Sequence, residues 1–475
     1  MLNEKQLANP PQIHFVTGKL AEHALRRVLL QLAPAVGFEY TIQVLPITVA
    51  ALMTPKWIAR RLQIPPNTTR ILLPGYCEGP IEPLTALTVL PIDRGPRDLH
   101  RLPDFFGHTG PQGQYGAHDI QIIAEINHAP QWSLDALLAE ARKLKHQGAD
   151  VIDVGCEPGG GWSGVGDAVA ALVDAGLRVS IDSMDRDEIA AAVQAGAELV
   201  LSVNASNREA AIGWGCEVVA IPDEPHLAQG LDETIEFLAA TGVPLRVDPI
   251  LEPIGCGFAT SLGRYLEIRE RYPDAEMMMG IGNLTELTDC DSAAINVLLL
   301  GFCQELNIRS VLTTSVINWA RTSVQECDLA RKLVHYAVRH STPPKHIEPN
   351  LVLLRDDKVQ DIEPSYPGGL SDSIRDHHIR VLADLEQIHL ISSGIHEQGP
   401  DPFDVFTRFL KIYPRELDAS HAFYLGYELA KAQTAMTLGK QYTQDEALNW
   451  GFLTQKETSH RASETNTNDD RHSSP

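Results

Sequence analysis

Short apolar runs alternate with amphipathic stretches along most of this chain, and their order predicts its architecture. After a polar lead, IHFVTGKL (13–20) reads as a strand, AEHALRRVLLQLA (21–33) as an amphipathic helix and FEYTIQVLPI (38–47) as a second strand. TPKWIARRL (54–62) and RILLPGYCEG (70–79) repeat the helix-then-strand pattern before the turn-rich run PIDRGPRDLHRLPDFFGHTGPQGQYG (91–116). These segments predict a small N-terminal α/β domain over residues 1–115. VTGKL lacks the earlier glycine and the following Ser or Thr of a phosphate loop, because Ile13 and Leu20 stand at those places. It reads as a strand-to-helix turn.

From residue 118 to 342 the alternation becomes regular. IQIIAEIN (120–127) precedes the helix SLDALLAEARKLKHQG (133–148), with Leu134, Leu137, Leu138, Ala141 and Leu144 as its apolar stripe and Gly148 as its stop. DVIDVG, RVSIDS, ELVLSVN, EVVAIP, PLRVDP, EMMMGIGN and IRSVLTTS follow, most of them separated by helical stretches. Eight strands in this alternation predict a (β/α)8 TIM barrel, with a doubly wound open sheet as the alternative that alternation alone leaves open. A Pro- and Gly-rich run (343–373) then leads to the helices DPFDVFTRFLKI and DASHAFYLGYELAKAQTAMTLG, a C-terminal α/β or helical domain over 345–454. Residues 455–475 have almost no apolar content and are expected to be a disordered tail.

Composition narrows the function. The 475 residues carry a formal charge of -23, which argues against a nucleic-acid backbone as partner. Seven scattered cysteines without a CxxC pair point to a reducing cytoplasm rather than to disulfides, zinc or iron–sulfur clusters. No apolar run approaches the roughly 20 residues that span a bilayer. The histidines of the last segment (His377, His378, His389, His396, His421) match no zinc spacing.

Barrels place chemistry at the carboxyl ends of their strands, and five strands here end in a short amide or carboxylate: Asn127, Asp182, Asn204, Asp248 and Asn283. Capping accounts for any one of them, but for all five together it is a strained explanation. A flat heterocycle with an amino-pyrimidinone edge, such as a pterin, suits two carboxylates and three amides. Mg2+ is the weaker reading, because these five lack a tight acidic cluster. If Asn127 and Asp248 face the pocket, alternation also turns Glu125 and Arg246 inward, and the two are expected to pair. The loop GGGWSG (159–164) reads as a mobile lid whose Trp162 could stack on a flat ring.

GADVIDVGCEP, VSIDSMDRDEIAAAVQAGAELVLSVNAS and VDPI match in order and spacing the pterin-binding barrels, comprising dihydropteroate synthase and the pterin-dependent methyltransferases. The resemblance covers roughly residues 118–325. It implies that Asp182, Asn204 and Asp248 grip a reduced pterin, with Asn127 near the reacting carbon or a bound Mg2+. It also implies a synthase-like coupling of a dihydropterin methyl diphosphate to an arylamine, in folate or tetrahydromethanopterin synthesis, with a homodimer as the assembly to expect. Where the synthases carry a lysine, strand seven here ends in Asn283, and no lysine occurs between Lys145 and Lys332. Arg208 and Arg321 are the nearest candidates for holding the anion. Asn283 resembles instead the methyltransferase branch, where it would lie close to the pterin N5 and a corrinoid protein would be a separate partner. A non-catalytic pterin-binding subunit is the third reading.

Overall fold

The computed structural model describes residues 10–108, 115–227, 229–356, 359, 367, 370, 371 and 378–457. The tail beyond residue 457 and His377 lie outside the described residues. The chain forms two compact units, Met1–Ile347 and Glu348–Pro475.

The first unit opens with a parallel sheet of β1 (Gln12–Thr17), β2 (Glu39–Val44), β3 (Arg70–Leu73) and β4 (Ile92–Arg94), in the order β2-β1-β3-β4. β5 (Gln121–Ile126), β6 (Val151–Gly155), β7 (Val179–Asp182), β8 (Leu199–Val203), β9 (Glu217–Ala220), β10 (Leu245–Val247), β11 (Glu276–Gly280) and β12 (Ser310–Thr313) then close into an eight-stranded parallel barrel. The fold is a (β/α)8 barrel, and the open-sheet alternative is excluded by the pairing of β12 with β5. In the second unit β13 (Arg380–Ala383), β14 (Ile388–Ser392) and β15 (Ile395–Gly399) form an antiparallel sheet followed by helices Pro402–Ile412 and Ala419–Leu438.

The helices form where caps and stripes direct. Ser133 accepts a hydrogen bond from the Ala136 N–H, and helix Leu134–His146 buries Leu137, Ala141 and Leu144 against the strands. Leu134, in its first turn, stays exposed. Among the described residues no helix is long and apolar enough to cross a membrane.

The barrel interior is layered. Ile123, Val151, Leu199, Leu201, Val219 and Met278 form a dry middle plug. Beneath it, at the amino ends of the strands, Arg246 donates to Glu217 at 2.7 Å and to Gln121 at 2.6 Å. The expected Arg246–Glu125 pair does not form, and the stagger of the strands explains why. Arg246 registers with Glu276, whereas Met278, two residues further along β11, registers with Ser310 and through it with Gln121. Glu125 stands four residues above Gln121, about 13 Å along the strand at ~3.3 Å per residue. The two share the inward face of their strands at opposite ends of the barrel.

The N-terminal segment packs on this floor. His100 meets Glu276 at 2.7 Å, Arg27 of helix Glu22–Val36 lies 3.8 Å from Glu276, and Arg309 meets Asp98 at 2.9 Å. Burial opposes charge on Glu276, yet His100, Arg27 and Arg246 hold its carboxyl well below the usual range. The opposite end of the barrel is left open for chemistry.

Candidate functional site at the barrel mouth

Three carboxyls converge above the apolar plug. Glu125 on β5, Asp153 on β6 and Asp182 on β7 each bring an oxygen within 4.8 Å of the other two. They meet because they are inward positions of consecutive strands, with Glu125 registered against Asp153. Gly155 makes room, since a Cβ there would lie 2.7 Å from Glu125 Oε1. Asp153 is fully buried; its Oδ1 accepts from the Ser180 hydroxyl at 2.6 Å, while its Oδ2 has no partner among the described residues. No Lys, Arg or His lies within ion-pair distance of the three among the described residues.

The acidities follow. Burial, reinforced by Asp182 and Glu286, pushes Glu125 up to about 8. Burial raises Asp182 to about 6, and burial together with Asp182 and Glu125 drives Asp153 well above the carboxylate range. Near neutral pH the cluster holds protons, or demands a cation. The sequence reading ranked metal lower for want of a tight acidic cluster, and the structure supplies one, Glu125 and Asp153 meeting the strand-end Asp182. Asp153 was missed, although it faces inward two residues before Gly155 in DVIDVG.

On the far side, Asp248 follows β10. Its Oδ1 accepts from the Tyr265 hydroxyl at 2.5 Å and from the Ile250 N–H at 2.8 Å. Burial outweighs these bonds and lifts its carboxyl to about 6. Tyr265, fully buried on helix Phe258–Arg271, was not anticipated from the sequence. Arg264 on that helix donates to the carbonyls of Pro249 and Ile250 and so braces the segment that carries Asp248. Asn283 donates to the Leu251 carbonyl at 3.0 Å, and a Cβ built on Gly280 would lie 3.8 Å from both Asn283 Nδ2 and Asp248 Oδ2. Asp248 and Asn283 thus share one corner of the mouth.

Asn204 follows a register slip between Leu201 and Val203 of β8. Its Oδ1 accepts from the N–H and hydroxyl of Ser206 at 2.9 and 2.7 Å, so its carbonyl serves the local turn. Asn127 Oδ1 is buried without a partner among the described residues.

Residues 127–220 match the family model described as pterin binding enzyme. That match spans the part of the barrel that carries Asn127, Asp153, Asp182 and Asn204. Residues 11–97 match a family of unknown function (DUF6513). The chain is 27% identical, over 364 residues covering 69% of each protein, to an uncharacterized protein of Methanocaldococcus jannaschii. Among solved structures it is similar to Yersinia pestis dihydropteroate synthase with a pterine-sulfa conjugate, at 19% identity, 47% of this chain, 94% of that chain and a TM-score of 0.37. It is also similar to the dihydropteroate synthase of Thermus thermophilus in complex with 6HMPPP, at 18% identity, 47% of this chain, 94% of that chain and a TM-score of 0.35.

Of the two arginines suggested as anion holders, one packs on a neighbouring helix and the other is exposed. Arg208 donates to Thr234 at 3.3 Å and lies over the Phe237 ring at 5.2 Å, on helix Leu231–Thr241. Arg321 is exposed, with Asn318 at 3.4 Å as its partner. The expected lid is tied down: Gly161 and Trp162 N–H groups donate to Glu188 Oε1 at 2.9 and 2.8 Å, and Trp162 packs against the core. The loop's glycines let it wrap a buried carboxylate, which spacing alone could not reveal.

Proposed function

We propose that this barrel binds a reduced pterin at its mouth and acts as a dihydropteroate synthase-like transferase, coupling a dihydropterin methyl diphosphate to an arylamine. The observation that carries the reading is the pair of desolvated strand-end carboxyls, Asp182 and Asp248, neither of them in an ion pair among the described residues, in a barrel whose residues 127–220 match a pterin-binding family model. The amino and ring N–H groups of a pterin are donors that such carboxylates accept, and Asn204 and Asn283 amides complete the edge. Burial, which makes the empty acids costly to ionise, makes them strong acceptors once a donor arrives.

A synthase must also neutralise a departing diphosphate. Glu125, Asp153 and Asp182 offer hard oxygen atoms within 4.8 Å of one another, and the orphaned Oδ2 of Asp153 fits a divalent cation such as Mg2+. Bound there, Mg2+ supplies Lewis acidity and countercharge for the leaving group. The protein's own part is to orient the pterin and exclude water from its binding edge.

Two observations favour a second reading. Glu125, pushed to about 8, carries a proton at neutral pH, and Asn283 replaces the lysine of the synthases. Both suit a pterin-dependent methyltransferase, in which a proton delivered to N5 makes the methyl group a better electrophile for a corrinoid acceptor. Purified protein incubated with dihydropterin diphosphate, Mg2+ and a panel of arylamines tests the first reading by amine-dependent diphosphate release. A parallel incubation with methylated tetrahydropterin and a corrinoid tests the second by demethylation. Tight pterin binding with neither product leaves a non-catalytic pterin-binding subunit.

A further inference from the structure

The N-terminal sheet has an unused crevice. With strand order β2-β1-β3-β4, the winding reverses between β1 and β3, and open parallel sheets bind ligands outside the carboxyl ends of their strands at such a point. A cavity of ≈150 Å3 opens there, bounded by Thr17 at the end of β1, Gly75 and Tyr76 beyond β3, and Arg97 beyond β4. Arg269 and Asp274 from the barrel's floor side form the opposite wall. A Cβ on Gly75 would lie 2.2 Å from the Pro96 carbonyl oxygen, so the loops after β3 and β4 meet backbone to backbone behind the cavity.

Three observations point to an anion. Helix Glu22–Val36 starts beside the cavity, which Ala21 and Leu25 line; Ala21 supplies no side-chain cap, and of the first-turn N–H groups that of Glu22 donates to the Lys19 carbonyl at 3.4 Å. Thr17 is only 4% exposed, lines the cavity, and its hydroxyl has no hydrogen-bond partner among the described residues. The charges are also asymmetric. Asp98 is taken by Arg309 at 2.9 Å, Glu276 by His100 at 2.7 Å, and Asp274 by the Ala51 N–H at 3.0 Å. Arg269, by contrast, is held by backbone carbonyls of Leu306, Pro273, Ala275 and Asn307, with no carboxylate in ion-pair range among the described residues. Arg97 is 70% exposed over the Tyr76 ring, with Glu78 a distant 3.8 Å partner.

We propose that this crevice is a second ligand site that takes a phosphate monoester with an apolar or ring-bearing body, of the nucleoside monophosphate class. The phosphate lies between the helix N-terminus, the Thr17 hydroxyl and Arg97, and the body rests on Leu25, Leu72 and Leu99, which also line the cavity. The site is separate from the barrel mouth: it abuts Glu276, the first residue of β11, whereas Asn283 lies beyond that strand's other end.

Isothermal titration calorimetry of the full chain with AMP, GMP and inorganic phosphate tests it. Saturable one-to-one binding of a nucleoside monophosphate is expected, weakened at least about tenfold by Thr17→Val and by Arg97→Ala and unchanged by Asp182→Asn, since each deleted contact is a charge-assisted hydrogen bond to phosphate. Thr17→Val sacrifices no existing hydrogen bond and Arg97 is exposed, so both variants should fold, as circular dichroism would show. No saturable heat with either nucleotide overturns the site. So does binding that survives both substitutions, or that disappears in Asp182→Asn and so belongs to the barrel mouth. Inorganic phosphate binding as tightly as the esters overturns the ester assignment.

Discussion

Replacing Glu125 by Gln removes a carboxyl that burial, with Asp182 and Glu286 beside it, lifts from 4.5 to about 8. Below about pH 4.5 the group is protonated in the folded and unfolded chain alike, and its perturbation has no effect on stability. Between about 4.5 and 8 the unfolded chain loses the proton while the folded barrel keeps it, so stability falls as pH rises, by up to ~1.4 kcal/mol per unit. The full shift corresponds to about 4–5 kcal/mol above pH 8, and we take about half, ~2 kcal/mol, because the mouth is open to water on one side. Glu125→Gln should therefore raise the midpoint of the barrel's thermal transition by roughly 4–8 °C at pH 9, at about 2–4 °C per kcal/mol, and by no more than about 2 °C at pH 5. Calorimetric scans of both proteins at pH 5, 7 and 9, without divalent cations, give the comparison. An equal gain at pH 5 and 9, or none at pH 9, would refute a desolvated acidic mouth.

Arg246→Ala leaves Glu217 buried with only Arg27, at 3.9 Å, as a partner, and should destabilise the barrel by about 3 kcal/mol in urea titration. Arg246→Met with Glu217→Leu should recover most of that loss, because the pair is removed together. Tyr265→Phe deletes the 2.5 Å bond to Asp248 and should move that carboxyl further above 6, so that the pH at which pterin binding reaches half its maximum rises. Gly155→Ala, with its new methyl 2.7 Å from Glu125 Oε1, should displace that side chain and destabilise the protein by about 1–3 kcal/mol.

Much of the barrel was legible because alternation with period 2 and period 3.6 specifies which face of each element is buried. The same periodicity says nothing of level. Glu125 and Arg246 both point inward, but closing eight staggered strands sends one to the mouth and the other to the floor beside Gln121 and Glu217. Asp153 went unnoticed because in DVIDVG it sits among apolar residues, and only the register with Glu125 shows it joining an acidic cluster. The strand-end rule located Asp182, Asp248 and Asn283, whereas Tyr265 reaches Asp248 from a helix 17 residues on, a contact no local pattern encodes. The Asn204 carbonyl serves the local turn, as the capping explanation for such residues expects. The glycines of GGGWSG suggested mobility, and their use became visible only with the buried Glu188 they surround.

Everything proposed for the barrel mouth rests on its desolvated carboxyls holding a reduced pterin. Fluorescence titration of the full chain with 6-hydroxymethyl-7,8-dihydropterin, beside Asp182→Ala and Asp248→Ala, tests this directly. Saturable binding by the native protein is expected, with a loss of at least about 100-fold in each variant, equivalent to about 3 kcal/mol for a buried charge-assisted contact. Native binding with unchanged affinity in both variants, or no binding by the native protein, would contradict it.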